Sequence, residues 1–159
     1  MKPQSWLAFT IFTAVAAATA ASAAHASLVL TLPVWAMFIG WVAFFTRGIN
    51  ARDGLVNFGC VLLGITFGIL AALAIGALRP MLGAYSLPVV VFGVAMIVVS
   101  LRAVPVLNNI LCYFLGLIAY FASHHEPSLM TLLVLGGAVA LGSFAGWISH
   151  AIQRQLAHA

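Results

Sequence analysis

Apolar residues run through this chain in long unbroken blocks. They show neither the strict alternation of a half-buried strand nor the three-to-four spacing of a helix with one wet face. Six blocks stand out, at about 6–24, 28–46, 55–78, 87–101, 104–122 and 129–152. A helix needs about 20 apolar residues to cross the hydrocarbon layer, and each block reaches or approaches that length. Barrel strands are shorter and alternate, so the pattern predicts membrane-spanning helices. The breaks between blocks carry turn chemistry. They are the polar stretch 47–54, Arg79-Pro80 followed by Gly83 and Ser86, Arg102 followed by Pro105, and Ser123-His124-His125-Glu126-Pro127-Ser128.

Two of the predicted helices echo each other. Phe38-Ile39-Gly40-Trp41-Val42-Ala43-Phe44-Phe45 matches Phe114-Leu115-Gly116-Leu117-Ile118-Ala119-Tyr120-Phe121, with four identities and apolar residues elsewhere. Gly64-x-x-x-Gly68 in the third block is matched by Gly142-x-x-x-Gly146 in the sixth, and Pro33 and Pro105 precede the two Phe-x-Gly segments. The order of these features predicts a duplication with half-repeats at about 6–78 and 87–152. Three spans separate the halves, so the second half runs through the bilayer upside down. The expected fold is an all-α integral membrane protein with six transmembrane helices in a 3+3 inverted-topology repeat, one domain over 1–159. Such repeats recur in transporters and place sites near the midplane.

Composition removes the other classes. Of 159 residues, 65% are apolar and 5% are charged, whereas a soluble domain carries about 25% charge. A soluble enzyme, a nucleic-acid binder and a disordered tail are excluded. The net charge is +4, but the basic residues are single and scattered, as topology signals are. With the N-terminus in the cytoplasm, Lys2, Arg47, Arg52, Arg102 and Arg154 lie inside and only Arg79 lies outside, as the positive-inside rule requires. Both termini are then cytoplasmic. The first span ends in a small-residue tract with Ala24-His25-Ala26, which looks like a signal-peptide site. A retained helix is expected, because the repeat needs a partner for the fourth span. Cys60 and Cys112 sit inside apolar blocks and read as reduced packing residues.

The polar inventory inside the spans is thin. Asp53 and Glu126 are the only carboxylates, both at helix starts where the dipole favours them. Ion-coupled carriers usually hold a carboxylate within the membrane, so uncoupled passage is the better expectation. Asn108-Asn109 is the notable pair, one turn past Pro105. An amide in lipid must find a partner. The two amides either glue helices together or line a solute path with Tyr113. Asn57 and Thr66 are weaker candidates of the same kind. Phe44-Phe45 and Tyr120-Phe121 fall at opposite ends of their spans, as two gates around a cavity or as interfacial aromatic belts. His124-His125-Glu126 reads as a solvated turn, with no fourth ligand for a metal, and His150 reads as an interfacial residue. No catalytic constellation and no cofactor motif is present, so the chain is not expected to be an enzyme. The Gly-x-x-x-Gly faces and Ala14-x-x-x-Ala18 allow close helix contact, within the subunit or in a homo-oligomer.

The segment Trp35-Ala36-Met37-Phe38-Ile39-Gly40-Trp41-Val42-Ala43-Phe44-Phe45, with its echo at 114–121, resembles the YcdZ-like family of small bacterial inner-membrane proteins, over about residues 28–154. The resemblance implies an inner-membrane location and brings no functional residue with it. Two functions are consistent with these features. The first is a passive channel or facilitator for a small neutral solute of the urea, amide or ammonia type, with Asn108, Asn109, Tyr113, Phe44, Phe45, Tyr120 and Phe121 lining or gating it. The second is a scaffold or accessory subunit of a membrane assembly. The lipid bilayer is the partner in both.

Overall fold

The computed structural model describes residues 6–158. These residues form six α-helices and no strand: α1 (Trp6–Val29), α2 (Val34–Phe44), α3 (Ala51–Leu82), α4 (Ser86–Ser100), α5 (Ile110–Ser123) and α6 (Leu129–His158). Single 3₁₀ turns at Gly83–Tyr85 and Leu101–Ala103 extend α3 and α4 into one helical stretch, Ala51–Ala103. This stretch, Trp6–Val29 and Leu129–Ala157 are long and apolar enough to cross a membrane. Large apolar side chains such as Leu55, Phe92 and Leu133 stand exposed on the outside, as expected of a membrane protein whose outer face meets lipid rather than water.

The helix boundaries follow from local chemistry. Asn50 caps α3, its side chain accepting the Asp53 N–H at 3.0 Å. Ser128 does the same for α6, accepting the Thr131 N–H at 3.1 Å. Such a cap satisfies one of the orphan amides of the first turn. Between α3 and α4 the chain reverses at Gly83, whose φ of 53° lies in the region open to glycine. Ala71 on α3 then shares a small cavity with Val91, Val94 and Ala95 on α4, so α4 returns along α3.

The six expected spans are all helical, with two substantial shifts. The second helix begins at Val34 rather than at 28. The fifth helix begins at Ile110 rather than at 104. Val104 is extended, with φ −97° and ψ 109°, because the ring of the following Pro105 disfavours the helical conformation there. Pro105 therefore lies in a loop and frees no helix carbonyl. The structural counterpart of Pro33, the N-cap of α2, is Asn109, the N-cap of α5. The Pro33–Pro105 match is not an equivalence.

Two helix crossings build the core. In the first, α2 packs parallel to α6. A Cβ on Gly40 would overlap the Val139 backbone, and one on Gly142 would overlap the Met37 carbonyl. Gly146 lies under the Phe44 ring, within 3.3 Å of where a Cβ would stand. In the second, α5 packs parallel to α3 through the matching positions. A Cβ on Gly116 would overlap the Val61 carbonyl, one on Gly64 the Tyr113 carbonyl, and one on Gly68 the Tyr120 ring. Gly116 thus stands for Gly40, Gly64 for Gly142, Tyr113 for Met37, Val61 for Val139 and Tyr120 for Phe44. Glycine at these places lets backbones touch, the usual way that helices associate where no hydrophobic drive exists between them. Around the crossings Tyr113, Phe44, Met37, Ile65, Leu135, Val61 and Val139 are fully buried. Helices α1 and α4 are peripheral: only Ala23 and Ser27 on α1, and Ser86, Val90 and Val98 on α4, are buried.

Candidate functional site: a polar junction between two loops

The loop 45–50 between α2 and α3 and the loop 101–109 between α4 and α5 meet at one end of the molecule. At their meeting point lies a chain of uncharged polar groups. Asn57, one turn inside α3 from Asp53, is fully buried and donates its amide to the Ala43 carbonyl at 3.0 Å and the Arg47 carbonyl at 3.2 Å. These carbonyls belong to the end of α2 and the loop after it, where helix carbonyls lack partners within their own helix. Asn109 donates to Asn57 Oδ1 at 2.7 Å and to Thr46 Oγ1 at 2.8 Å. Thr46 in turn donates to the Ala43 carbonyl at 2.8 Å and lies 3.3 Å from the Cys112 thiol. Every amide in the set is bonded, the condition under which a buried polar network rigidifies a structure.

A charged rim surrounds this core. Arg47 donates to Asn108 Oδ1 and, at 3.4 Å, to the Val106 carbonyl. Its Nε lies 3.9 Å from Asp53 Oδ1. Asn50 also holds Asp53, donating to Oδ2 at 2.6 Å. Arg47 therefore clamps the second loop to the first.

The expected site residues fall into separate groups. Asn108 is exposed on the rim and Asn109 is buried in the junction. Tyr113, one turn further along α5, is fully buried, with its ring stacked on Phe67 at 6.2 Å. The Tyr113 hydroxyl is buried beside the Cys60 thiol, a weak partner, and makes no hydrogen bond of ordinary geometry among the described residues. The aromatic pairs split alike in both places: Phe44 and Tyr120 point inward against Gly146 and Gly68, while Phe45 and Phe121 are about two-fifths exposed on the outer surface, at 40% and 43%. Phe44 and Phe45 meet edge to face at 5.1 Å, and Tyr120 and Phe121 at 5.2 Å. The inner rings are packing residues of the two crossings. Ser143 donates to the Gly40 carbonyl at 3.0 Å and belongs to the α2–α6 crossing. Thr66 bonds back to Leu62 within its own helix.

Thr46 as the partner of Asn109 and Cys112, and Arg47 as the partner of Asn108, were not legible. A loop threonine and a loop arginine carry no signal of a contact to a residue more than sixty positions away. The hint lay in topology, since alternating spans put both loops on one side.

The junction has no counterpart at the other end of the molecule. The positions matching Asn57, Asn109, Cys112, Tyr113 and Cys60 hold Leu135, Pro33, Ala36, Met37 and Ala138. Leu135, Ala36, Met37 and Ala138 are all fully buried. The amide network is thus confined to one half, and the buried polar groups at the other end are the hydroxyls of Ser27, Ser86 and Thr131.

Neither a curated protein nor a solved structure matches the chain. The profile of a family described as a protein of unknown function, DUF1097, matches residues 7–154, and the chain belongs to that family.

Proposed function

We propose that this is a six-span protein of the bacterial inner membrane, a 3+3 inverted repeat with both termini in the cytoplasm, that serves as a scaffold or accessory subunit of a membrane assembly. The residue-for-residue match between the α2–α6 and α5–α3 crossings supports common descent of the halves. So do the two N-caps, Asn50 and Ser128, which occupy matching places. Six alternating crossings require the loops holding Arg47 and Asn108 to share a side, and the two residues are in contact. The excess of Arg47, Arg52, Arg102 and Arg154 over Arg79 supports a cytoplasmic position for that side.

The observation that carries the scaffold reading is the closed core. Asn57 and Tyr113 are inaccessible to water, the Asn57 and Asn109 amides are spent on helix ends and on each other, and Met37, Leu135 and Ala138 at the matching positions are apolar and fully buried. The polar residues hold the two halves together. Helices α1 and α4, by contrast, present most of their surface outward. Purification in a mild detergent is expected to bring down a second protein in fixed ratio. Vesicles containing the chain alone are expected to take up urea, acetamide and ammonia no faster than protein-free vesicles. Recovery only as a monomer or homo-oligomer, together with accelerated uptake, overturns the reading.

One observation favours the facilitator as the second reading. The Tyr113 hydroxyl is buried with only the weak Cys60 thiol beside it, and it lies one turn beyond Asn109. A small neutral solute that entered from the Asn108 side would find a donor there. Passage then requires the junction to part, and Tyr113→Phe is expected to change the uptake rate.

A further inference from the structure

An apolar groove of about 320 Å³ opens between α3 and α6 at the junction end of the molecule. Gly54, Leu55 and Phe58 line one wall, and Ala140, Phe144 and Trp147 line the other. Leu55, Phe144 and Trp147 face outward, where the bilayer lies. The one hydroxyl in the lining, on Ser143, is turned away to the Gly40 carbonyl. Nothing in the groove recognises a polar ligand.

Two observations say what fits it. The first is an asymmetry between the halves. The positions matching Phe58 and Ala140 are Gly136 and Leu62, and Leu62 fills the space over Gly136 so closely that a Cβ there would come within 2.8 Å of its Cδ2. The groove half has Ala140 where the other has Leu62, and Phe58 where the other has Gly136, so its lining is an aromatic ring beside a methyl group. The second is charge. Arg52 follows Ala51 of the lining, and His150 and Arg154 continue the stripe of α6 that carries Ala140, Phe144 and Trp147, with Arg154 two turns beyond Trp147. Arg52 and Arg154 are exposed and make no ion pair among the described residues, whereas Asp53 nearby is held by Arg47 and Asn50. An apolar slot with one exposed arginine beside its lining and a second two turns along α6 complements one molecule of the bilayer: an acyl chain with a negative headgroup.

We propose that this groove binds an acyl chain of an anionic phospholipid, with the headgroup held between Arg52 and Arg154. The site requires neither the scaffold nor the facilitator reading. Trp147 in the lining supplies the probe. A variant that keeps only this tryptophan (Trp6, Trp35 and Trp41→Phe) is reconstituted in phosphatidylcholine with a small fraction of phosphatidylglycerol brominated on its acyl chains. Quenching of Trp147 is expected to report enrichment of the anionic lipid over brominated phosphatidylcholine, about five-fold for each arginine. Arg52→Gln with Arg154→Gln is expected to abolish the preference. Ala140→Leu, which copies Leu62 of the other half, is expected to lower quenching by either lipid. Equal quenching by the two lipids overturns the proposal, and so does a preference that survives loss of both arginines. Absence of quenching by both lipids places a protein surface, such as a second copy, in the groove and overturns it as well.

Discussion

Asn109 donates its amide to Asn57 Oδ1 at 2.7 Å, joining the start of α5 to the interior of α3. Both residues are buried, and Asn57 spends its own amide on the Ala43 and Arg47 carbonyls. Two loops more than fifty residues apart in sequence are thereby tied at one end of an otherwise apolar bundle. Removing one partner leaves the other buried and unsatisfied, which costs more than the net worth of the bond.

Asn57→Leu is therefore expected to destabilise the protein by about 1–3 kcal/mol or more, since two carbonyls and the Asn109 amide lose their partner. Asn57→Leu with Asn109→Leu is expected to cost less than the sum of the single changes, because residues in one network are coupled. Cys60 and Cys112 are free and buried, so a thiol-reactive dye reports unfolding in detergent as they become exposed. Additive losses would mean that the two amides act separately.

The glycines divide sharply by environment. A Cβ at Gly40, Gly64, Gly116 or Gly142 would strike backbone of the facing helix, while one at Gly59, Gly76 or Gly93 would meet nothing within 4 Å. Alanine at any of the first four is expected to lower the melting temperature strongly, since overpacking costs about 1–3 kcal/mol and backbone yields less than a side chain. Alanine at the other three is expected to be neutral or mildly stabilising, because it is the better helix former by about 1 kcal/mol. Matched losses at Gly40 and Gly116, and at Gly64 and Gly142, would follow from the matched crossings.

Much of this was legible in the sequence, and the parts that were not have physical causes. The apolar blocks located all six helices, because length and hydropathy are what the bilayer selects. Phe-x-Gly and Gly-x-x-x-Gly marked the crossings, because only glycine permits the Met37 and Tyr113 carbonyls to come so close. The start of α5 was hidden, because Val104, Val106 and Leu107 are as apolar as a span yet lie in a loop. The shortness of α2, 11 residues, was hidden in the same way by Leu30 and Leu32 before Pro33. Asn109 stood out as a buried amide, but its partners Thr46 and Asn57 are set by tertiary contact that no local pattern records. Phe45 and Phe121 look like their neighbours in sequence, and only the helix phase turns them outward.

Tyr113→Phe separates the two functional readings. In a closed scaffold the hydroxyl, with only the weak Cys60 thiol as neighbour, contributes little stability, so its removal is expected to leave assembly intact and the melting temperature unchanged or raised. A fall in stability would show that the hydroxyl has a partner in the membrane-embedded protein, and altered solute uptake would favour the facilitator.

The central claim is that two triplets of helices cross the bilayer in opposite senses, with the Arg47 and Asn108 loops on the cytoplasmic side. Single cysteines placed at Ala51, Ala103, Ala84 and His125, in a chain carrying Cys60→Ala and Cys112→Ala, test it in intact cells with a membrane-impermeant maleimide. The account predicts labelling from outside at positions 84 and 125, and labelling at 51 and 103 only after the membrane is opened. Labelling of 51 and 103 from different sides, or of 51 and 125 from the same side, would contradict it.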